Sequence, residues 1–211
     1  MRQKLFVVVV VLAVGLTGGR MIFDSFQRPG ASPADPALFG TLWPEPRLLE
    51  GFVLSDHRGQ TLGPEQLKGQ WSLLFFGYTS CPDICPTTLS LLGRVQVQLR
   101  EQGRQTPRVL MVSVDPERDD LRKLGSYVSY FGDDMLGVTG PSEELNKLLR
   151  QVGAMYERSG TDDQGNYEIA HTSSVFVVDP RGRLYAVLSP PHQVAAMAGK
   201  LVAVQQNFER E

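Results

Sequence analysis

Phe76-Gly77-Tyr78-Thr79-Ser80-Cys81-Pro82-Asp83-Ile84-Cys85-Pro86 contains both cysteines of this 211-residue chain. The apolar run from Trp71 to Tyr78 leads into it and reads as a central strand covered on both faces. Behind it, Leu89, Leu92, Val95 and Leu99 recur at helical spacing, so Thr87 to Leu99 reads as a helix with Pro86 at its first position. Two thiols four positions apart at a strand-to-helix junction can close on each other or share one soft metal ion.

Working outward, one α/β domain is expected over residues 48–211. Phe52 to Ser55 and Gln60 to Leu62 flank Asp56-His57-Arg58-Gly59, a hairpin in which Gly59 supplies positive φ. Arg108 to Val114 reads as a second buried strand, Asp119 to Tyr130 as a helix, Leu136 to Thr139 as a short strand, and Pro141 to Gln151 as a helix stopped by Gly153. Ser174 to Val178 and Leu184 to Leu188 form two strands across Asp179-Pro180-Arg181-Gly182, and Val194 to Phe208 closes with a helix. A dithiol between the first core strand and its helix, in that order of elements, predicts a thioredoxin-like α/β fold with a central mixed sheet flanked by helices.

The departures from a thioredoxin dithiol point to the chemistry. The usual spacing is Cys-x-x-Cys, and here one more residue separates the thiols. Asp83 lies between them, and a neighbouring carboxylate raises a thiol's pKa, against the activation a strong oxidant needs. Where a thioredoxin carries its cis-proline, this chain has His171-Thr172. In this fold the loop before Ser174 packs against the start of the Pro86 helix. Cys81, Cys85 and His171 would then form a two-sulfur, one-nitrogen set suited to Cu(I), and tolerable for Cu(II). Tetrahedral zinc would need a fourth ligand from Asp115, Asp83 or water. Asp115, at the C-terminal end of a strand, faces the crevice where α/β folds place ligands, and could instead cap the following helix. His57 reads as a solvated turn residue, His192 as lying at a helix start, and Met111, Met135, Met155 and Met197 as packing rather than a copper box.

With these residues in place, the chain resembles the Sco/SenC family of membrane-anchored copper proteins that assist cytochrome c oxidase assembly. The segments that carry the resemblance are the cysteine stretch above, Ser113-Val114-Asp115-Pro116-Glu117-Arg118-Asp119, Leu136-Gly137-Val138-Thr139-Gly140, and His171-Thr172 ahead of the Asp179-Pro180-Arg181-Gly182 turn. It implies that Cys81, Cys85 and His171 bind copper; from their places beside the thiols and at the strand end, Asp83 and Asp115 could support these ligands from behind. It also implies a metallochaperone rather than an enzyme. The partner would be the oxidase subunit with the dinuclear copper centre, along with a thioredoxin-like reductant or another copper chaperone. A thiol–disulfide oxidoreductase that keeps the oxidase's cysteines reduced is the alternative; a peroxiredoxin-like peroxidase fits poorly, for no Pro-x-x-x-Thr-x-x-Cys context precedes Cys81. Two positions depart from the family pattern. Ala170 stands where an acidic residue usually precedes the histidine, and Pro141 follows Thr139-Gly140 in place of threonine.

The first 47 residues read differently. Arg2 and Lys4 precede an apolar stretch that runs to Phe23 with Arg20 as its only charge. About 19 helical residues span roughly 28 Å, close to the hydrocarbon thickness of a bilayer. Residues 1–23 are therefore expected to be an uncleaved membrane anchor rather than a cleaved signal peptide. The basic flank places the domain outside the cytoplasm, on a bacterial inner membrane facing the periplasm. Residues 24–47, with Pro29, Pro33, Pro36, Pro44 and Pro46, are expected to form a tether with neither helix nor sheet. A formal net charge of −2 and no basic stripe give no case for nucleic-acid binding.

Overall fold

The computed structural model describes residues 38–161, 164 and 166–211. The expected anchor over 1–23 lies outside them; among the described residues, no helix is long and apolar enough to cross a membrane. The strands are β1 (Leu42–Leu48), β2 (Leu54–Asp56), β3 (Thr61–Leu62), β4 (Ser72–Gly77), β5 (Arg108–Ser113), β6 (Met135–Thr139), β7 (Tyr156–Arg158), β8 (Ile169–His171), β9 (Val175–Val178) and β10 (Arg183–Leu188). The helices are α1 (Ile84–Glu101), α2 (Leu121–Ser129), α3 (Ser142–Val152) and α4 (Val194–Phe208). Together they form a thioredoxin-like α/β fold with a central mixed sheet.

The main sheet runs β1-β10-β9-β4-β5-β6-β2-β3. β4, β5 and β6 are parallel, whereas β9 runs antiparallel to β4. Every residue of β4 is buried, as its unbroken apolar sequence requires of a strand covered on both faces. β4 therefore ends in the interior, and the cysteine segment leaves the sheet at its C-terminal edge. There Val114 N–H donates to the Gly77 carbonyl at 2.9 Å, which closes the β4 and β5 ends together.

Most expected elements stand within a residue or two of their predicted bounds, and three differences bear on the site. First, β1 occupies residues that were expected to belong to the tether. It pairs with β10 as an edge strand, with a register shift between Leu42 and Arg47 that accommodates Pro44 and Pro46. An edge strand with an irregular register tolerates proline because one side needs no ladder donors. Second, the dithiol helix begins at Ile84 rather than Thr87, so Pro86 is its third residue and Cys85 sits in its first turn. Third, β7 and β8 form a separate two-stranded ribbon with Tyr156↔His171, Glu157↔Ala170 and Arg158↔Ile169 in register. His171 ends a strand of this ribbon and does not lie in a loop.

Candidate metal centre

The first turn of α1 carries Cys85, fully buried, and the loop before it carries Cys81, 9% exposed. Both thiols are free. Gly77 at the end of β4 is what lets Cys85 in: a Cβ there would lie 2.6 Å from Cys85 Sγ. From the other side, β8 delivers His171, whose Nε2 lies 3.3 Å from Cys85 Sγ. The two sulfurs and one imidazole nitrogen all lie within 4.8 Å of one another. Metal–sulfur and metal–nitrogen bonds of roughly 2.0–2.3 Å put the ligands of one ion about 3.5–4 Å apart, so this set needs only small shifts to close on a metal.

The imidazole is oriented for that task. His171 Nδ1 lies 3.2 Å from the Thr172 carbonyl, and a carbonyl can only accept. Nδ1 therefore carries the proton, which leaves the Nε2 lone pair facing the sulfurs. Phe75 and Tyr78 stand roughly perpendicular to the ring at centroid distances of 5.9 and 6.1 Å. This apolar setting holds the His171 pKa below its ordinary value, so the ring stays neutral. Burial also drives the Cys85 thiol pKa far up, with Cys81 as the next contributor. Cys85 occupies a helix N-terminus, where the dipole favours a thiolate, and burial still prevails. Without metal, Cys85 is a neutral thiol facing a neutral imidazole.

An open cleft of about 640 Å³ leads to these groups, walled by Pro82, Asp83 and Ile84 on one side and by Glu157, Glu168 and Ala170 of the ribbon on the other. Asp83 lines this cleft. Its carboxylate accepts from Thr87 Oγ1 at 3.3 Å, and the carboxylate that bears on Cys85 is Asp119. Asp115 does not cap a helix. It is 3% exposed, and its Oδ1 accepts from the Tyr167 hydroxyl at 2.7 Å while Oδ2 accepts from Arg118 Nε. His57, read as solvated, accepts from Gly137 N–H at Nδ1 at 3.2 Å. His192 precedes α4 and lies 3.0 Å from the Ser173 carbonyl. Met155 is exposed, whereas Met111, Met135 and Met197 are buried in the core.

Two structural contributors escaped the sequence reading. Asp119, 1% exposed, accepts from Thr79 N–H at 2.9 Å, from Thr79 Oγ1 and from Ser113 Oγ at 2.7 Å, and pairs with Lys123 at 3.2 Å. It ties the cysteine loop to the end of β5. A signal existed in Asp119-Asp120, for a helix needs one N-cap and Asp120 supplies it to Lys123 N–H at 2.7 Å, leaving Asp119 free to turn inward. Tyr167 had no such signal, since its partners come from segments distant in sequence.

Comparison with known proteins gives a consistent result. A family model described as SCO1/SenC matches residues 43–206. A Stutzerimonas stutzeri protein named for copper binding is 34% identical over 166 residues, covering 79% of this chain and 81% of that protein. The mitochondrial SCO2 homolog of Bos taurus is 37% identical over 132 residues, covering 62% of this chain and 50% of its own length. The chain thus spans about half the length of that mitochondrial relative. Among solved structures, Arabidopsis thaliana ScoI with copper bound matches with a TM-score of 0.70 at 27% identity, over 77% of this chain and 99% of that one. Apo Sco1 from Thermus thermophilus matches with a TM-score of 0.68 at 34% identity, over 81% of this chain and 96% of that one.

Proposed function

Because this chain belongs to the SCO1/SenC family, we propose that its dithiol–imidazole pocket takes up one copper ion and passes it on during assembly of the dinuclear copper centre of cytochrome c oxidase. The observation that carries this reading is the convergence of three soft donors within 4.8 Å at the head of an open cleft. Copper is the cargo, held by Cys81, Cys85 and His171. Two thiolates and an imidazole match Cu(I) in three-coordinate form and offer Cu(II) the nitrogen it prefers.

The pocket's own chemistry suits a carrier. The metal-free Cys85 thiol stays protonated because burial disfavours the thiolate, and copper uptake drives its proton out through the cleft. The neutral His171 offers Nε2 without a competing proton. The cleft leaves one side of the site open, so a partner's thiol or thioether can approach while the ion is still held. An N-terminal anchor over residues 1–23 would keep the domain beside the membrane, outside the cytoplasm, where the oxidase subunit presents its copper ligands.

One observation favours a second reading. The two thiols lie close enough for Cys85 to sense Cys81 as a hydrogen-bonding neighbour, so they can close to a disulfide and reduce another protein's cysteines. His171→Ala separates the readings, because it removes a copper ligand and leaves both thiols. For a copper donor, cells carrying only His171→Ala lack the oxidase's copper centre unless copper is supplied in excess. If thiol reduction is the main task, that strain keeps its oxidase while Cys81→Ser and Cys85→Ser strains lose it.

A further inference from the structure

His171 reaches the dithiol on a ribbon that is not part of the main sheet. A two-stranded ribbon is marginal by itself in water, so something else must fix its height over the cysteines. The structure provides one dense point of attachment, at Tyr167 just ahead of β8. Its buried ring lies between two guanidinium groups, Arg118 at 3.5 Å and Arg158 at 3.4 Å from the ring centroid. Its hydroxyl donates to Asp115 Oδ1 at 2.7 Å, and its carbonyl accepts from Arg118 Nη1 at 3.0 Å. Arg118 is held by Asp115, and Arg158 by Glu117 at 3.0 Å. Asp115, Glu117 and Arg118 all belong to the segment that leaves β5, so this stack fastens the ribbon to the sheet that carries the cysteine loop.

From this geometry we propose that Tyr167 is a positioning residue for the metal centre, setting where His171 Nε2 sits relative to Cys81 and Cys85. The proposal rests on the copper reading of the site. Three residues separate Tyr167 from His171, a strand distance of roughly 13 Å, short enough for a shift at the anchor to reach the imidazole. Ile169, between them, transmits that shift: its N–H donates to the Tyr78 hydroxyl at 3.3 Å, and Tyr78 in turn borders the His171 ring. The two variants separate the contributions. Tyr167→Phe removes only the bond to Asp115, whereas Tyr167→Leu also removes the aromatic face between the guanidiniums.

The test uses the full-length chain, with Cu(I) and Cu(II) affinities measured in parallel on the reduced protein. Cu(I) can rest on two thiolates, while Cu(II) depends on the imidazole. The Cu(II)-to-Cu(I) affinity ratio therefore falls about tenfold in Tyr167→Leu, and by a smaller factor in Tyr167→Phe, as for other residues that orient a ligand from behind. A second arm needs no metal: carbethoxylation of His171, mapped by peptide mass spectrometry, speeds up in both variants while His57 and His192 react at their wild-type rates. A residue that only adds stability would lower Tm and leave both the ratio and the His171 rate unchanged, and that result in a folded variant overturns the proposal. Should Tyr167→Leu fail to fold, Tyr167→Phe alone decides by the same two readings. Absence of copper binding by the wild-type protein would defeat the proposed function, whereas the histidine-reactivity arm would still judge Tyr167.

Discussion

Cys85 Sγ and His171 Nε2 lie 3.3 Å apart although they are 86 positions apart in the chain. One comes from the first turn of α1 and the other from the last residue of β8, so the contact exists only when the sheet, the cysteine loop and the ribbon are all in place. Ligand geometry is thus a property of the tertiary fold. It is exposed to any change at the three points that fix it: Gly77, Asp119 and the ribbon anchor.

Gly77→Ala tests the first of these points. A Cβ at this position would meet Cys85 Sγ at 2.6 Å and a Phe75 ring carbon at 3.3 Å. The sulfur must move, because the backbone of β4 is locked between β5 and β9. Overpacking of this kind costs about 1–3 kcal/mol. Thermal unfolding should show that loss, and a Cu(I) competition titration should show copper binding weakened alongside it. Wild-type affinity in Gly77→Ala would mean the sulfur has room that the structure does not show.

Asp119→Ala removes the acceptor shared by Thr79, Ser113 and Lys123. Leaving the Thr79 and Ser113 donors without their acceptor in this closed site should cost about 3 kcal/mol, while Lys123 keeps the Arg118 carbonyl as a partner. Denaturant unfolding checks the figure. Asp120→Ala, which removes an exposed helix cap and an exposed ion pair with Arg122, should cost less in the same assay.

The metal-free domain should lose stability on both sides of neutrality. The His171 pKa is lowered by burial, so the folded state resists protonation while the unfolded chain accepts it. That contribution is present above the unfolded value of about 6.5 and is lost as pH falls through the folded value. The Cys85 pKa is raised by burial, and its contribution is present below the unfolded thiol value of about 8.5 and erodes as pH climbs beyond it. Chemical denaturation from pH 5 to pH 10 measures the profile. His171→Ala should flatten the acid limb and leave the alkaline one, and an unchanged acid limb would remove His171 as its cause.

Much of this was legible in the sequence because it is local. Continuous apolar runs located β4 and β5, helical spacing located α1, and the isolated cysteine pair with its prolines marked the junction where chemistry sits. Soft-ligand arithmetic then singled out His171 without any view of its neighbours. What stayed hidden depends on contacts between distant segments. Pro44 and Pro46 argued against sheet, yet an irregular edge pairing with β10 absorbs both. The β7–β8 ribbon is too short to leave a periodic signature, so His171 read as a loop residue. The imidazole is oriented by the Thr172 carbonyl, which carries no side-chain signal.

Copper stoichiometry of the protein in its two redox states addresses the central claim most directly. The reduced chain, loaded with Cu(I) under anaerobic conditions and freed of excess, should hold one copper per molecule, with X-ray absorption showing two sulfurs and one nitrogen around it. Once Cys81 and Cys85 are oxidised to a disulfide, the sulfurs lack the charge and lone pair that a soft ion requires, and binding should disappear. Equal copper uptake by the reduced and oxidised forms would contradict the account.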